Sequence, residues 1–172
     1  MTRTKTMLIV MTSALALAAC AKKAPDVLPQ APQTATPAPT PGPSGPISNV
    51  PVPGSHADFL AKVSSDRIFF DTDRFNIDSE DQLTLQSQSR WLAQYPNKQI
   101  IVEGHADERG TRDYNLALGE RRANAAKNYL VSLGIAPSRI RVVSHGKERP
   151  HALGSNETAW AQNRRAVTVT LD

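Results

Sequence analysis

The sequence predicts one α+β domain in which strands and helices alternate as β-α-β-α-β-α-β, preceded by a disordered tether. From about residue 58 onward, short runs of β-branched and aromatic residues alternate with segments of helical periodicity. Ahead of that region, ten of the thirteen prolines lie between Pro25 and Pro53. Strands that alternate with helices favour a mixed sheet covered by helices on one face. We therefore divide the chain into residues 1–19, 20–57 and 58–172.

The first predicted strand and helix occupy residues 67–94. Residues 67–70 (Arg-Ile-Phe-Phe) are a strand candidate that ends at a polar Asp-Thr-Asp turn. The acidic residues 78–81 suit the beginning of a helix, where carboxylates cap free N–H groups. Leu85, Ser89 and Leu92 then share one helical face, and the sequence Tyr-Pro-Asn at 95–97 ends the helix.

The remaining elements follow the same alternation. Residues 99–102 are rich in β-branched side chains and predict a buried strand, followed by a loop over residues 104–110 that contains two glycines. A long helix is expected from Arg112 to Leu133, with Gly134 as its C-terminal stop. Its predicted buried face consists of Ala123, Ala126, Leu130 and Leu133. Three further elements are predicted: a strand at 139–143, a short helix at 156–163 and a strand at 166–171.

The first twenty residues have the pattern of a bacterial export signal. Arg3 and Lys5 precede an uncharged, mostly apolar run from Met7 to Ala19, which is too short to span a bilayer. The sequence Leu-Ala-Ala-Cys at 17–20 resembles a lipobox, which implies cleavage before Cys20 and acylation of that residue. Several acyl chains make a durable membrane anchor. Ala21 rather than aspartate follows, which by resemblance to Gram-negative lipoprotein sorting favours the outer membrane, facing the periplasm.

The segment that follows Cys20 is predicted to act as a spacer. Residues 24–55 are dense in Pro, Ala, Thr, Ser and Gly and lack helical or strand periodicity. At about 3.1 Å per residue, thirty residues in polyproline form reach on the order of 90 Å. Reach alone explains this composition, so we expect no recognition motif within it.

Charge and composition exclude several classes of function. The formal charge of +4 falls to +2 when Arg3 and Lys5 leave with the signal, because 18 basic residues then face 16 acidic ones. This balance gives no electrostatic footprint for nucleic acid. The sequence also has no Gly-x-Ser-x-Gly or His-Glu-x-x-His motif and no cysteine beyond Cys20. His105, Asp107 and Glu108 lie close together, but three such residues in one loop are weak evidence for a metal, and we expect no cofactor.

Several separate motifs resemble the OmpA-like peptidoglycan-binding family. They are residues 102–111 (Val-Glu-Gly-His-Ala-Asp-Glu-Arg-Gly-Thr), Tyr114-Asn115, residues 118–123 and residues 163–167. The resemblance covers residues 60–172 and implies binding of the stem peptide of peptidoglycan through its diaminopimelate residue, without hydrolysis. Lipid-anchored members of the family also bind the periplasmic propeller protein TolB and act with other Tol proteins, which the resemblance implies here too.

The family's acidic and basic ligand contacts match Asp107 and Arg122. A carboxylate suits the ammonium group at the far end of diaminopimelate, and a guanidinium suits its carboxylate with two parallel hydrogen bonds. The resemblance implies further contacts from Phe70, Asp71, Glu108, Arg109, Thr111, Asn115 and Leu118. From charge pattern alone, Asp107 and Arg122 could instead form an ion pair that only ties the loop to the helix.

Three other functions remain open at this point. The domain could belong to a periplasmic peptidoglycan-modifying enzyme, for which Asp71 and Asp73 are candidate paired carboxylates, although an aspartate-rich strand end is more often a turn. It could be a general envelope anchor outside the Tol system. A flagellar-type stator anchor shares the domain but requires a membrane-spanning helix, which the sequence does not predict.

Overall fold

The computed structural model describes residues 50–171, so the predicted signal, Cys20 and most of the tether lie outside the described residues. Helices and strands alternate along this part of the chain. In order they are α1 (His56–Lys62), β1 (Arg67–Phe69), α2 (Ser79–Gln94), β2 (Gln99–His105), α3 (Arg112–Ser132), β3 (Ile140–Gly146), α4 (Glu157–Asn163) and β4 (Arg165–Leu171). A 3-10 turn, Pro137–Arg139, leads into β3.

The four strands form one mixed sheet in the order β1-β4-β2-β3. Strands β2 and β3 are parallel and are joined through α3, whereas β4 runs antiparallel to both of its neighbours, β1 and β2. This is the mixed α+β arrangement that the sequence predicts. The C-terminal ends of β1, β2 and β3 consequently lie at the same edge of the sheet, together with the beginning of β4.

The core lies between the sheet and helices α1, α2 and α3. Ile100 and Val102 of β2 pack there with Leu85 and Leu92 of α2, and all four are at most 1% exposed. The predicted apolar face of α3 is confirmed at Ala123, Ala126 and Leu130. It is wrong at Leu133, which is the C-cap residue and 37% exposed.

Helix α1 is a structural element that the sequence analysis does not predict. It begins at His56, inside the stretch expected to be tether, and Ser55 caps it by accepting a hydrogen bond from the Asp58 N–H at 3.2 Å. The buried Asp58 carboxylate also accepts bonds from Trp91 Nε1 at 3.0 Å and from the Gly54 N–H at 3.0 Å. These bonds connect α1 to α2, so the folded part extends back to at least Gly54.

The other predicted elements are present, with differences mainly at strand ends. The caps expected for α2 and α3 are confirmed, since Asp78 accepts from the Asp81 N–H at 2.8 Å and Gly134 has a φ of +94° after the end of α3. Strand β2 is three residues longer than predicted, so Gly104 and His105 belong to the strand. Within residues 50–171, none of the helices is long and apolar enough to cross a membrane.

Candidate ligand-binding site

The predicted site residues gather at the edge of the sheet where β1, β2 and β3 end. The loop of residues 106–111 leaves β2 at this edge and leads directly into α3, whose first turn is capped by the Thr111 side chain. Gly110 has a φ of +86°, which explains why glycine suits this turn. Residues 70–78, which follow β1, and residues 147–156, which follow β3, leave their strands at the same edge.

A cavity of about 240 Å³ opens between the loop of residues 106–110 and the beginning of α3. Asp107, Arg109, Asn115 and Leu118, all predicted site residues, line it. Its other lining residues, which the sequence analysis does not assign to the site, are Thr72, Asp73, Gly110 and Tyr114. Tyr114 donates from its hydroxyl to Asp73 Oδ1 at 3.2 Å, which links the beginning of α3 to the turn after β1.

Asp107 is a buried carboxylate held by two arginines. Arg109 donates Nη2–H to Oδ2 at 2.7 Å and Nε–H to Oδ1 at 3.1 Å, and the backbone N–H of Arg109 also donates to Oδ1 at 3.1 Å. Arg164 Nη1 lies 3.5 Å from Oδ2. Burial alone raises the pKa of Asp107, but the bonds from Arg109 outweigh it and hold the pKa below its usual value. Asp107 is therefore an anion at neutral pH.

Arg122 is a buried cation whose hydrogen bonds all go to neutral groups. Its side chain is 0% exposed and donates Nε–H to the Arg74 carbonyl at 2.9 Å. Its terminal nitrogens donate to the His105 carbonyl at 2.8 Å and the Asp71 carbonyl at 3.1 Å. Burial lowers the pKa of Arg122 to about 10, which leaves it charged at neutral pH. The part of the chain that the structure describes provides no carboxylate at ion-pair distance from it.

The loop-to-helix ion pair that charge pattern alone would predict is therefore absent from residues 50–171. Asp107 pairs with Arg109 and Arg164, and Arg122 instead connects α3 to the backbone after β1 and at the end of β2. Arg122 lies one turn beyond Leu118 on α3 and is not among the residues that line the cavity. Both residues lie near this edge of the sheet, but their bonding partners depend on the fold.

The other predicted contacts divide among neighbouring surfaces. Phe70, with its ring 5.2 Å from the Arg122 guanidinium carbon, and the exposed Asp71 line a second cavity of about 300 Å³. Glu108 lines a third cavity of about 190 Å³ on the other side of the loop. Thr111 accepts the Tyr114 N–H at 3.3 Å and so caps α3. Asn115 donates to the Arg109 carbonyl at 2.7 Å and so connects α3 to the loop.

Two residues near the chain end contribute to the site beyond the predicted contacts. Trp160 of α4 stacks on Arg109, with the guanidinium carbon 4.2 Å from the ring centroid, and donates Nε1–H to Glu108 Oε1 at 3.0 Å. Arg164 bridges Asp107 and Glu157 and donates Nε–H to the Phe70 carbonyl at 2.9 Å. Their sequence signal is weak because α4 begins 46 residues after the loop ends, and only the fold brings them together.

The residues considered for a metal site or a catalytic carboxylate pair are His105, Asp71 and Asp73. His105 lies beside Glu103 and His145, and burial lowers its pKa to about 3. No group of three potential metal ligands is found within residues 50–171. Asp71 and Asp73 lie in a turn closed by the Arg74 N–H bond to the Asp71 carbonyl at 3.1 Å.

Comparison with known proteins identifies relatives of the whole domain. Residues 69–164 match the OmpA family. The chain is 58% identical over 117 residues to a peptidoglycan-associated lipoprotein of Rhizobium meliloti (strain 1021), a match that covers 68% of this chain and 66% of that protein. It is 50% identical over 161 residues to the protein of that name from Agrobacterium fabrum (strain C58 / ATCC 33970), covering 94% and 85% of the two chains.

Solved structures give the same result for the fold. The crystal structure of the peptidoglycan-associated lipoprotein from Burkholderia pseudomallei superposes with a TM-score of 0.61 at 42% sequence identity, covering 66% of this chain and 93% of that one. The C-terminal domain of Helicobacter pylori MotB superposes with a TM-score of 0.57 at 19% identity, covering 62% and 84%, which shows a shared fold only.

Proposed function

The chain belongs to the OmpA family, among the peptidoglycan-associated lipoproteins, and from this premise we propose that it is a non-catalytic protein that binds peptidoglycan. Its ligand is the stem peptide, held at the far end of diaminopimelate. By anchoring one end in the outer membrane and binding the cell wall with the other, the protein ties the two layers together as part of the Tol-Pal system.

The buried guanidinium of Arg122 is the observation that carries this proposal. Arginine has five N–H groups, and Arg122 uses three of them on backbone carbonyls. One N–H remains on each terminal nitrogen, and a carboxylate accepts two such bonds from a guanidinium. A buried charge without an ionic partner is costly, so an incoming carboxylate at this position gains both hydrogen bonds and charge compensation.

Asp107 is the proposed acceptor for the ligand's ammonium group. Its two oxygens have about four acceptor sites, of which Arg109 fills three, and Arg164 Nη1 lies 3.5 Å from Oδ2 without a hydrogen bond. Arg164 is buried, whereas 39% of the Arg109 side chain is exposed. An ammonium group that binds Asp107 therefore displaces the guanidinium of Arg109 from the carboxylate rather than that of Arg164, because the Arg109 side chain is the more exposed of the two.

The surrounding side chains suit the rest of the ligand. Leu118 and Asn115 line the cavity floor, and Phe70 and Asp71 extend the surface toward β1. Glu108 and Thr111 lie in the same loop as Arg109, one before it and one after it. Asp73 and Asp107 are each bonded to a neighbouring side chain, Tyr114 and Arg109 respectively, so neither is arranged as a base that activates a nucleophile.

The N-terminal part of the chain supplies the other attachment in this proposal. Acylation of Cys20 holds the protein in the outer membrane with its domain in the periplasm, and the proline-rich segment spans the distance to the cell wall. TolB and other Tol proteins are the proposed protein partners. The basis for these points is family membership and the N-terminal sequence.

Calorimetric titration with a diaminopimelate-containing tripeptide tests the ligand assignment. Because a charged hydrogen bond contributes roughly 1.5–3 kcal/mol, Asp107→Ala and Arg122→Lys should each weaken binding about ten- to a hundredfold. Lysine fits poorly at Arg122 because a point charge cannot make the planar two-bond contact. A tripeptide with lysine in place of diaminopimelate lacks the far carboxylate, so it should bind weakly and respond little to Arg122→Lys.

Arg139→Lys is a matched control for the arginine change. Arg139 also donates three hydrogen bonds to backbone carbonyls, those of Lys98, Leu92 and Tyr95. It lies just before β3, at the edge of the sheet opposite the cavity. It should lower the melting temperature comparably and leave binding unchanged. Wild-type affinity in a folded Arg122→Lys protein would show that Arg122 has only a structural role. Cleavage of muropeptides by the purified protein would contradict the non-catalytic assignment.

A further inference from the structure

Trp160 has an unusual position for a residue on a short surface helix. Its indole lies against the guanidinium of Arg109 at 4.2 Å and its Nε1–H is bonded to Glu108 Oε1 at 3.0 Å. It therefore contacts two successive residues of the loop that carries Asp107. Trp160 is not part of the main hydrophobic core.

Helix α4 is itself held in place relative to Asp107. Arg164, the C-cap residue of α4, bonds Glu157 in the first turn at 2.6 Å and contacts Asp107 Oδ2 at 3.5 Å. Asn163 accepts the backbone N–H groups of His151 and Ala152 at 2.7 and 3.0 Å, which ties the end of the helix to the loop after β3. The indole is thus presented to Arg109 from a fixed support.

Arg109 needs such a support because it is long, exposed and bonded only at its tip. Its guanidinium bonds Asp107 and donates to Thr72 Oγ1 at 3.2 Å across the mouth of the cavity. When an ammonium group takes its place on Asp107, those ionic bonds are lost. An aromatic face attracts a cation without any counter-ion, so stacking on Trp160 is retained through that exchange.

We propose that Trp160 is a positioning residue for ligand recognition, whose indole face holds the Arg109 guanidinium at the cavity mouth before and after the ligand's ammonium replaces it on Asp107. This inference rests on the proposed function of the site. Trp160 acts through Arg109 and does not itself contact the ammonium or the carboxylate of the ligand. The relevant property is the aromatic face, and the N–H bond to Glu108 is secondary.

A double-mutant cycle tests this coupling by calorimetric titration with the diaminopimelate tripeptide. Trp160→Leu, which removes the aromatic face, should weaken binding about three- to tenfold, whereas Trp160→Phe should stay within about twofold of wild type. In an Arg109→Gln background, Trp160→Leu should cause no further change. An equal loss of affinity with and without Arg109, or an equal loss in the Phe and Leu variants, would overturn the inference.

A measurement without ligand separates this inference from the proposed function. In ¹⁵N-labelled protein, the Arg109 Nε–H resonance should shift in Trp160→Leu and stay near its wild-type position in Trp160→Phe. The Nε–H resonance of Arg139, which is bonded to the Lys98 carbonyl at 2.9 Å, is the internal control and should not move. An unchanged Arg109 resonance in Trp160→Leu would refute the positioning role even if the peptide binds. If wild-type protein fails to bind the tripeptide, the proposed function is wrong, and recognition through Trp160 is wrong with it.

Discussion

At the scale of single residues, burial and hydrogen bonding decide what each charge does. Asp107, Arg122 and Asp81 are all at most 7% exposed, yet their surroundings differ. Asp107 is surrounded by N–H donors and remains an anion, whereas Arg122 donates its hydrogen bonds to backbone carbonyls. Asp81 has one backbone donor, the Phe69 N–H at 3.2 Å, and its other oxygen is buried without a partner among residues 50–171. Burial, with the nearby charges of Asp78 and Glu80, raises the pKa of Asp81 to about 6.

The raised pKa of Asp81 predicts a defined pH effect on stability. Because its pKa of about 6 in the folded protein exceeds the ordinary 3.8, the folded state binds this proton more tightly than the unfolded state. The cost of the charged carboxylate is fully present above pH 6 and disappears as the pH falls toward 4. Relative to Asp81→Asn, wild type should therefore gain about 2 kcal/mol of unfolding free energy between pH 7 and pH 4.5.

Urea denaturation of both proteins at the two pH values measures this difference. The comparison with Asp81→Asn is needed because His105 acts in the opposite direction. Its pKa is lowered to about 3, so the unfolded state takes up the His105 proton first and stability falls as the pH drops from about 6.5. A stability difference that is the same at both pH values would show that Asp81 titrates normally.

At the scale of elements, the position of the site depends on how closely α3 approaches β2. Gly104 of β2 and Gly119 of α3 face each other, and a Cβ added at position 104 would lie 1.8 Å from the Gly119 carbonyl oxygen. The predicted loop at Gly104 is wrong, because the residue lies in a strand and its role is to admit the helix backbone. Ser144 donates to the Leu116 carbonyl at 2.7 Å and holds α3 against β3 as well.

Gly104→Ala should therefore be strongly destabilising, by about 3 kcal/mol, since the clash is with backbone rather than with a movable side chain. Gly134→Ala is the matched control: its φ of +94° disfavours alanine, but no atom lies within 4 Å of the added Cβ, so the cost should be about 1 kcal/mol. Thermal or urea unfolding measures both. Similar costs for the two changes would mean that α3 can move away from β2 without penalty.

At the scale of the whole molecule, the proposed function needs two attachments at a distance from each other. The domain contains the candidate wall-binding site, and the proposed membrane attachment at Cys20 lies outside the described residues. The segment between them contains most of the prolines. Under this proposal, the covalent anchor and the length of the segment matter more than the order of its residues.

Cys20→Ser should abolish acylation because serine lacks the thiol that receives the lipid. The changed protein should remain uncut or become soluble, and it should no longer fractionate with outer membranes. Metabolic labelling with radioactive palmitate gives the direct readout. Label that still enters the Cys20→Ser protein would place the lipid elsewhere.

Scrambling residues 24–53 should preserve envelope integrity, whereas deletion of most of them should weaken it, because reach depends on length and proline content. Leakage of periplasmic proteins and detergent sensitivity measure integrity, with equal amounts of each variant confirmed by immunoblot. Loss of integrity in the scrambled version alone would reveal a recognition motif in this segment.

The sequence alone determined the order of elements from β1 to β4 and the caps of α2 and α3. These follow from local physics: period-two and period-3.6 patterns, capping side chains and glycine at positive φ act within a few residues. The short helix α1 escaped prediction because seven residues carry too little periodicity, and its stability comes from the distant Trp91 through Asp58.

Only the tertiary structure decided which groups meet at the site. Asp107, Arg122 and Arg164 are separated by many residues, and a charge in the sequence can pair with any opposite charge that the fold brings near. The fold placed two arginines beside Asp107, gave Arg122 backbone carbonyls as its hydrogen-bond acceptors and brought Trp160 onto Arg109. Coulombic and stacking energies depend on distance and burial, and chain separation determines neither of them.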